Sequence, residues 1–124
     1  AAFVRYFLAQ VNTAYTKPAT GLILPLSTSE CGSCTAFEAK AAGYLAAGQR
    51  YDRPAVEVLE VTQAAGLTQP PNGLVLDVAF HQLPARIISA TGLVDKVVEQ
   101  RAVMVVWLGY DGPGWRVTSI KVRG

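Results

Sequence analysis

Few residues of this 124-residue chain have side chains suited to chemistry, and they fall in two places. The first is Cys31-Gly32-Ser33-Cys34, two thiols three positions apart. That spacing serves a structural disulfide, a thioredoxin-type redox pair whose attacking thiol is acidified at a helix N-terminus, or half of a metal site. A disulfide across so short a loop removes only about 2 kcal/mol of chain entropy, so its work would be to fix the turn. The redox reading wants a strand before the motif and a βαβ unit around it; here a helical run precedes it and every clear strand follows it. The metal reading wants two further ligands, and His81 is the chain's single histidine.

The second place is the stretch holding Asp77 and His81, with Tyr6, Tyr15, Tyr44 and Tyr110 as conceivable acid–base partners elsewhere. Four positions along a strand separate Cα atoms by about 13 Å, so Asp77 and His81 form no direct dyad. They also alternate with Leu74, Leu76, Val78 and Phe80, which puts them on the wetter face, where Asp and His are commonly solvated. There is no Gly-x-Ser-x-Gly elbow and no GxxxxGK[ST] phosphate loop. No residue is assigned a catalytic role, and no cofactor or metal is expected.

Composition narrows the classes further. Half the residues are hydrophobic (51%) and 16% are charged, enough to fill a core. Eleven basic against nine acidic residues leave a net charge of +2, without the dense basic footprint of a nucleic-acid binder. No apolar run approaches the roughly 20 residues of a membrane-spanning helix. The length fits a single soluble domain, residues 1–124.

The elements that must position these residues are legible from periodicity. In the first fifteen residues Phe3, Val4, Phe7, Leu8, Val11, Ala14 and Tyr15 recur at helical steps, and Lys17-Pro18 ends that helix. Thr20 to Leu26 reads as one or two helical turns ending near Pro25. Thr35 with Glu38 matches a capping box, with Phe37, Ala41, Tyr44 and Leu45 as the stripe behind it and Gly48 as the stop. Beyond Pro54 the period becomes that of strands: Ala55 to Thr62, then Leu74 to His81 after the turn at Pro70–Gly73. Pro84 should end or bulge the second strand before Ala85 to Ala90 continue it. Ala102 to Leu108 is apolar on both faces and belongs at the centre of the sheet. Asp111–Gly114 is a hairpin turn, returning Trp115 to Val122 alongside. Arg116, Lys121 and Arg123 read as charges protecting an edge strand. The expectation is an α+β domain, helices over about 1–50 packed on a curved antiparallel sheet of about four strands over about 54–123.

The opening helix, Phe3-Val4-Arg5-Tyr6-Phe7 to Asn12-Thr13-Ala14-Tyr15, and the approach Leu26-Ser27-Thr28-Ser29-Glu30-Cys31-Gly32-Ser33-Cys34 resemble an actinobacterial cell-envelope lipoprotein family of unknown function. The resemblance covers about the first third of the chain. It implies the nuclear-transport-factor-2-like cone, three helices wrapped into a curved antiparallel sheet. It also implies a signal peptide, a lipid-modified cysteine and a linker ahead of Ala1. On that basis, and on the oxidising compartment it implies, Cys31 and Cys34 are expected to form a structural disulfide.

The resulting expectation is a non-enzymatic binding or protein-interaction domain tethered to the outer face of the cell membrane, touching the membrane only through that anchor. Its surface would be the cone mouth, lined by Tyr44 and Tyr110 and open to a small apolar ligand, or the sheet back. There Val103, Val105 and Trp107, extended by Val75 and Trp115 or Val117, form an apolar patch suited to a homodimer or to another envelope protein. The rival is an isomerase or hydratase of the cone type, which would need Asp77 or His81 buried beside a tyrosine hydroxyl. A thiol–disulfide oxidoreductase ranks behind both.

Overall fold

A computed structural model describes residues 2–123. Helix α1 spans Ala2–Thr16 and buries Val4, Phe7, Leu8, Val11, Ala14 and Tyr15, the face its spacing predicts. A single 3-10 turn, Leu24–Leu26, follows. Helix α2 runs from Gly32 to Ala47 and stops at Gly48, whose left-handed φ of 66° a residue without Cβ adopts readily.

The start of α2 corrects the capping-box reading. Cys31, not Thr35, is the N-cap, because the Cys31–Cys34 loop is itself the first helical turn. The Thr35 hydroxyl donates back to the Cys31 carbonyl (3.3 Å). Glu38 is buried and turns to the preceding segment, accepting the N–H groups of Gly21 (2.8 Å), Ile23 (3.4 Å) and Leu24 (3.2 Å). A buried carboxylate is tolerable when donors surround it in this way.

Seven strands follow: β1 (Gln49–Tyr51), β2 (Val56–Gln63), β3 (Gly73–Gln82), β4 (Ala85–Ser89), β5 (Gly92–Val97), β6 (Gln100–Tyr110) and β7 (Trp115–Arg123). They form two antiparallel sheets where one of about four strands was expected: β2-β3-β6-β7 and β1-β4-β5. The division falls at Pro84. That residue has no N–H to give a ladder, and the preceding Leu83 N–H goes to the Ala55 carbonyl (2.7 Å). Residues 85–89 therefore leave β3 and pair with β1 and β5. Strand β5 escapes periodicity because nearly all of it is exposed, so no face of it is selected for apolar residues.

As its two apolar faces require, β6 lies between β3 and β7. The hairpin at 111–114 closes with the Asp111 N–H on the Gly114 carbonyl (3.2 Å). Gly73 has to be glycine: a Cβ there would stand 2.2 Å from the Leu108 carbonyl oxygen. Alternation sorts the sheet as the sequence predicts. Leu76, Val78 and Phe80 of β3 and Met104, Val106 and Leu108 of β6 join the core beneath the helices. Val75 and Val105 lie on the opposite face in a small cluster with Ala64, and Trp107 packs against it.

Candidate ligand-binding site

Between the helices and the large sheet lies a cavity of about 340 Å3. Leu8 and Val11 of α1, Phe37 of α2 and Met104 of β6 supply apolar wall; Asn12, Tyr15, Lys40, Tyr51 and Gln82 supply its polar groups. Asn12 holds α1 to the start of β2. Its Nδ2 donates to the Val56 carbonyl (2.9 Å), and its Oδ1 accepts from the N–H groups of Ala55 (3.3 Å) and Val56 (3.1 Å).

Tyr15, Tyr44 and Tyr51 meet beside this cavity with ring centroids 5.1–5.7 Å apart. The Lys40 ammonium lies 5.6 Å from the Tyr15 centroid and 6.0 Å from each of the other two, within cation–π range. It also donates to the Tyr51 hydroxyl (3.5 Å). Burial, and secondarily the neighbouring Tyr51, push the Tyr15 and Tyr44 phenols well above the ordinary tyrosine value. Both stay neutral at physiological pH and can offer hydrogen bonds, but neither is poised to take a proton as a base.

A larger and more open hollow of about 400 Å3 lies where Tyr44, Leu45 and Gly48 face Ile88 and Ser89. Tyr44 and Tyr110 do not line a common mouth. Tyr44 belongs to the tyrosine cluster, whereas Tyr110 is 49% exposed at the β6–β7 hairpin, edge-on to Trp115.

Cys31 and Cys34 are joined, and both are fully buried. Asp77 and His81 occupy the sheet face opposite the helices, as alternation predicts, but His81 is not solvated there: it is 7% exposed. Glu57, its cross-strand partner on β2, stands 3.6 Å from Nδ1, and Glu99 stands 2.5 Å from Nε2. The two glutamates close over a ring that a lone strand pattern would leave open. Asp77 lies 3.5 Å from Arg123 in a groove of about 300 Å3 with Glu60 and Thr62. Among the described residues no group of three or more His, Cys, Asp or Glu side chains could hold a metal ion.

The apolar patch on the sheet back is smaller than expected. Val105 is buried with Val75 against Ala64, and Val103 and Trp107 are half-buried, with the Lys121 ammonium 5.9 Å from the Trp107 ring centroid. Trp115 and Val117, offered as extensions, pack with the main core instead. The larger exposed apolar side chains include Leu93, Val94 and Val98 on and beside β5, which periodicity did not flag. Lys40, Tyr51 and Met104 were also missed as site residues. One local signal existed: Lys40 and Tyr44 are four apart on α2, a spacing that brings side chains together.

No family model matches the chain, and no curated protein matches it. Among solved structures it is similar to the intermembrane-space region of the chloroplast protein ARC6, with a TM-score of 0.70 over 98% of this chain and 91% of that one. At 13% sequence identity the likeness is one of fold.

Proposed function

We propose that this chain is a non-enzymatic, extracytoplasmic binding domain whose working site is the cavity between the helices and the large sheet. The observation that carries this reading is the makeup of the cavity: apolar walls, the phenols of Tyr15 and Tyr51 and one ammonium, with neither Asp77 nor His81 facing it. Proton transfer of the isomerase or hydratase kind wants a carboxylate or imidazole against the substrate. The nuclear-transport-factor-2-like cone, the lipoprotein resemblance and the membrane tether belong to the same proposal. The buried disulfide supports an oxidising compartment, and its burial leaves no line of attack for thiol exchange.

Native mass spectrometry of the protein prepared gently from its own host tests the reading. The expected spectrum shows an oxidised chain carrying a reproducible small-molecule adduct, which a Met104→Trp variant, its cavity filled, loses. An adduct that Met104→Trp keeps would place binding elsewhere, and an adduct-free chain would shift the weight to a protein partner.

A further inference from the structure

The charge and capacity of the cavity specify more than an apolar ligand. Resting on the binding reading above, we propose that the site takes a single-chain carboxylic acid of about ten non-hydrogen atoms. Its carboxylate lies at Lys40 and its hydrocarbon body runs between Leu8, Phe37 and Met104.

Three observations carry this. Lys40 is the only charged residue in the lining, which holds no Asp, Glu or Arg. Among the described residues five ion pairs form, and Lys40 takes part in none. An ammonium has three donors; one is directed at the Tyr51 hydroxyl and the tyrosine rings flank the group, while Lys40, exposed at the rim of the cavity, keeps the others open.

The second observation is that few polar groups remain for a ligand. Asn12 has committed its oxygen and one amide N–H to the backbone of Ala55 and Val56, and Gln82 one N–H to the Val98 carbonyl (3.5 Å), which leaves the phenols of Tyr15 and Tyr51 and a few amide positions. A sugar or nucleotide carries more polar groups than these can match. A body of CH2 groups loses nothing and gains contact with the walls.

The third is size. At about 30 Å3 per non-hydrogen atom, the share of a water molecule in the liquid, a cavity of about 340 Å3 holds roughly eleven atoms. That fits an eight-carbon acid.

The test compares three probes with one tail and different heads, octanoate, 1-octanol and octyltrimethylammonium, each titrated below its aggregation limit into the full oxidised chain. NMR follows the Met104 methyl and the Lys40 and Tyr51 amides. Octanoate is expected to shift all three signals and to bind at least about tenfold more tightly than octanol, the weight of one charge-assisted contact, with the cation weakest. Lys40→Met should bring octanoate down to the affinity of octanol, while Lys40→Arg keeps the preference. Equal binding of octanoate and octanol to the native chain would overturn the head-group assignment and leave the cavity reading standing. Tightest binding of the ammonium probe would also overturn it, giving the choice of head to the tyrosine rings. No shift at Met104 with any probe would remove the cavity reading and this inference together.

Discussion

The two faces of the β2-β3-β6-β7 sheet take alternate residues of the same strands, yet they end in opposite conditions. Beneath the helices, Leu76, Val78 and Phe80 of β3 and Met104, Val106 and Leu108 of β6 build a continuous apolar core. Towards its edge that core leaves a cavity bordered by Tyr15, Tyr51 and Lys40. On the back, each group of chemical interest already has a neighbour: His81 between Glu57 and Glu99, Asp77 beside Arg123, Trp107 beneath Lys121. Residues whose names evoke catalysis therefore sit beside opposite charges, although the buried Asp77 Oδ1 gains no hydrogen bond from Arg123. The open cavity lies on the face whose residue types attract less notice. Side-chain chemistry is a poor guide to a site until the partners of each side chain are known.

If the helix face is the structural face, the largest stability loss belongs there. Phe7 is fully buried in the core, and Phe7→Ala should cost about 3–5 kcal/mol in urea unfolding. Val103 on the back is half-buried, and Val103→Ala should cost about 1 kcal/mol or less. Similar losses at the two positions would break the comparison.

The disulfide gives the next largest effect. Cys31 and Cys34 anchor the first turn of α2 within the helix-face core, and replacing both by Ala should remove about 2 kcal/mol. The protein should still bind whatever it binds, because neither cysteine lines the cavity. Lost binding in a variant that remains folded would make the disulfide part of the site.

The tyrosine cluster predicts an alkaline limit. The Tyr15 phenol titrates above the ordinary value of 10 because burial disfavours the phenolate. The folded chain thus holds this proton more tightly than the unfolded chain. Its contribution is complete below about pH 10 and is lost as pH rises from there towards the folded value, by at most about 1.4 kcal/mol per pH unit. Urea midpoints measured between about pH 9 and 11 should fall, and Tyr15→Phe should flatten the fall. An unchanged slope in Tyr15→Phe would show that the cluster is open to solvent.

Much of this arrangement was legible because it depends on local periodicity. The buried stripe of α1, the stop at Gly48, the central place of β6 and the sorting of β3 into two faces all follow from steps of three to four residues or of two. What was not legible depends on contacts between distant segments. Glu38 looked like a local cap, yet its partners lie 14–17 residues back. The burial of His81 rests on Glu99, 18 residues on. The departure of β4 to a second sheet depends on its pairing with β1, a three-residue strand too short to show a period. The cavity is harder still, since Leu8, Phe37 and Met104 come from three elements and no spacing relates them.

The smallest predicted effect asks how the back face is sealed. Lys121 is paired across the strands with Val105, on the same face as Trp107, and its ammonium lies 5.9 Å from the indole centroid. Two contributions are mixed there: attraction of the charge to the ring, and cover of apolar surface by the four-carbon stem. Lys121→Met keeps most of the stem and removes the charge, so it should cost about 0.5 kcal/mol and leave Trp107 emission nearly unmoved. Lys121→Ala removes both, and should cost more and shift the emission to the red as water reaches the ring. If the two variants cost the same, the charge carries the contact. If Ala alone is costly, the cover is a mobile hydrocarbon stem, and the back face is sealed by one or two exposed side chains per group where the helix face is sealed by two whole helices.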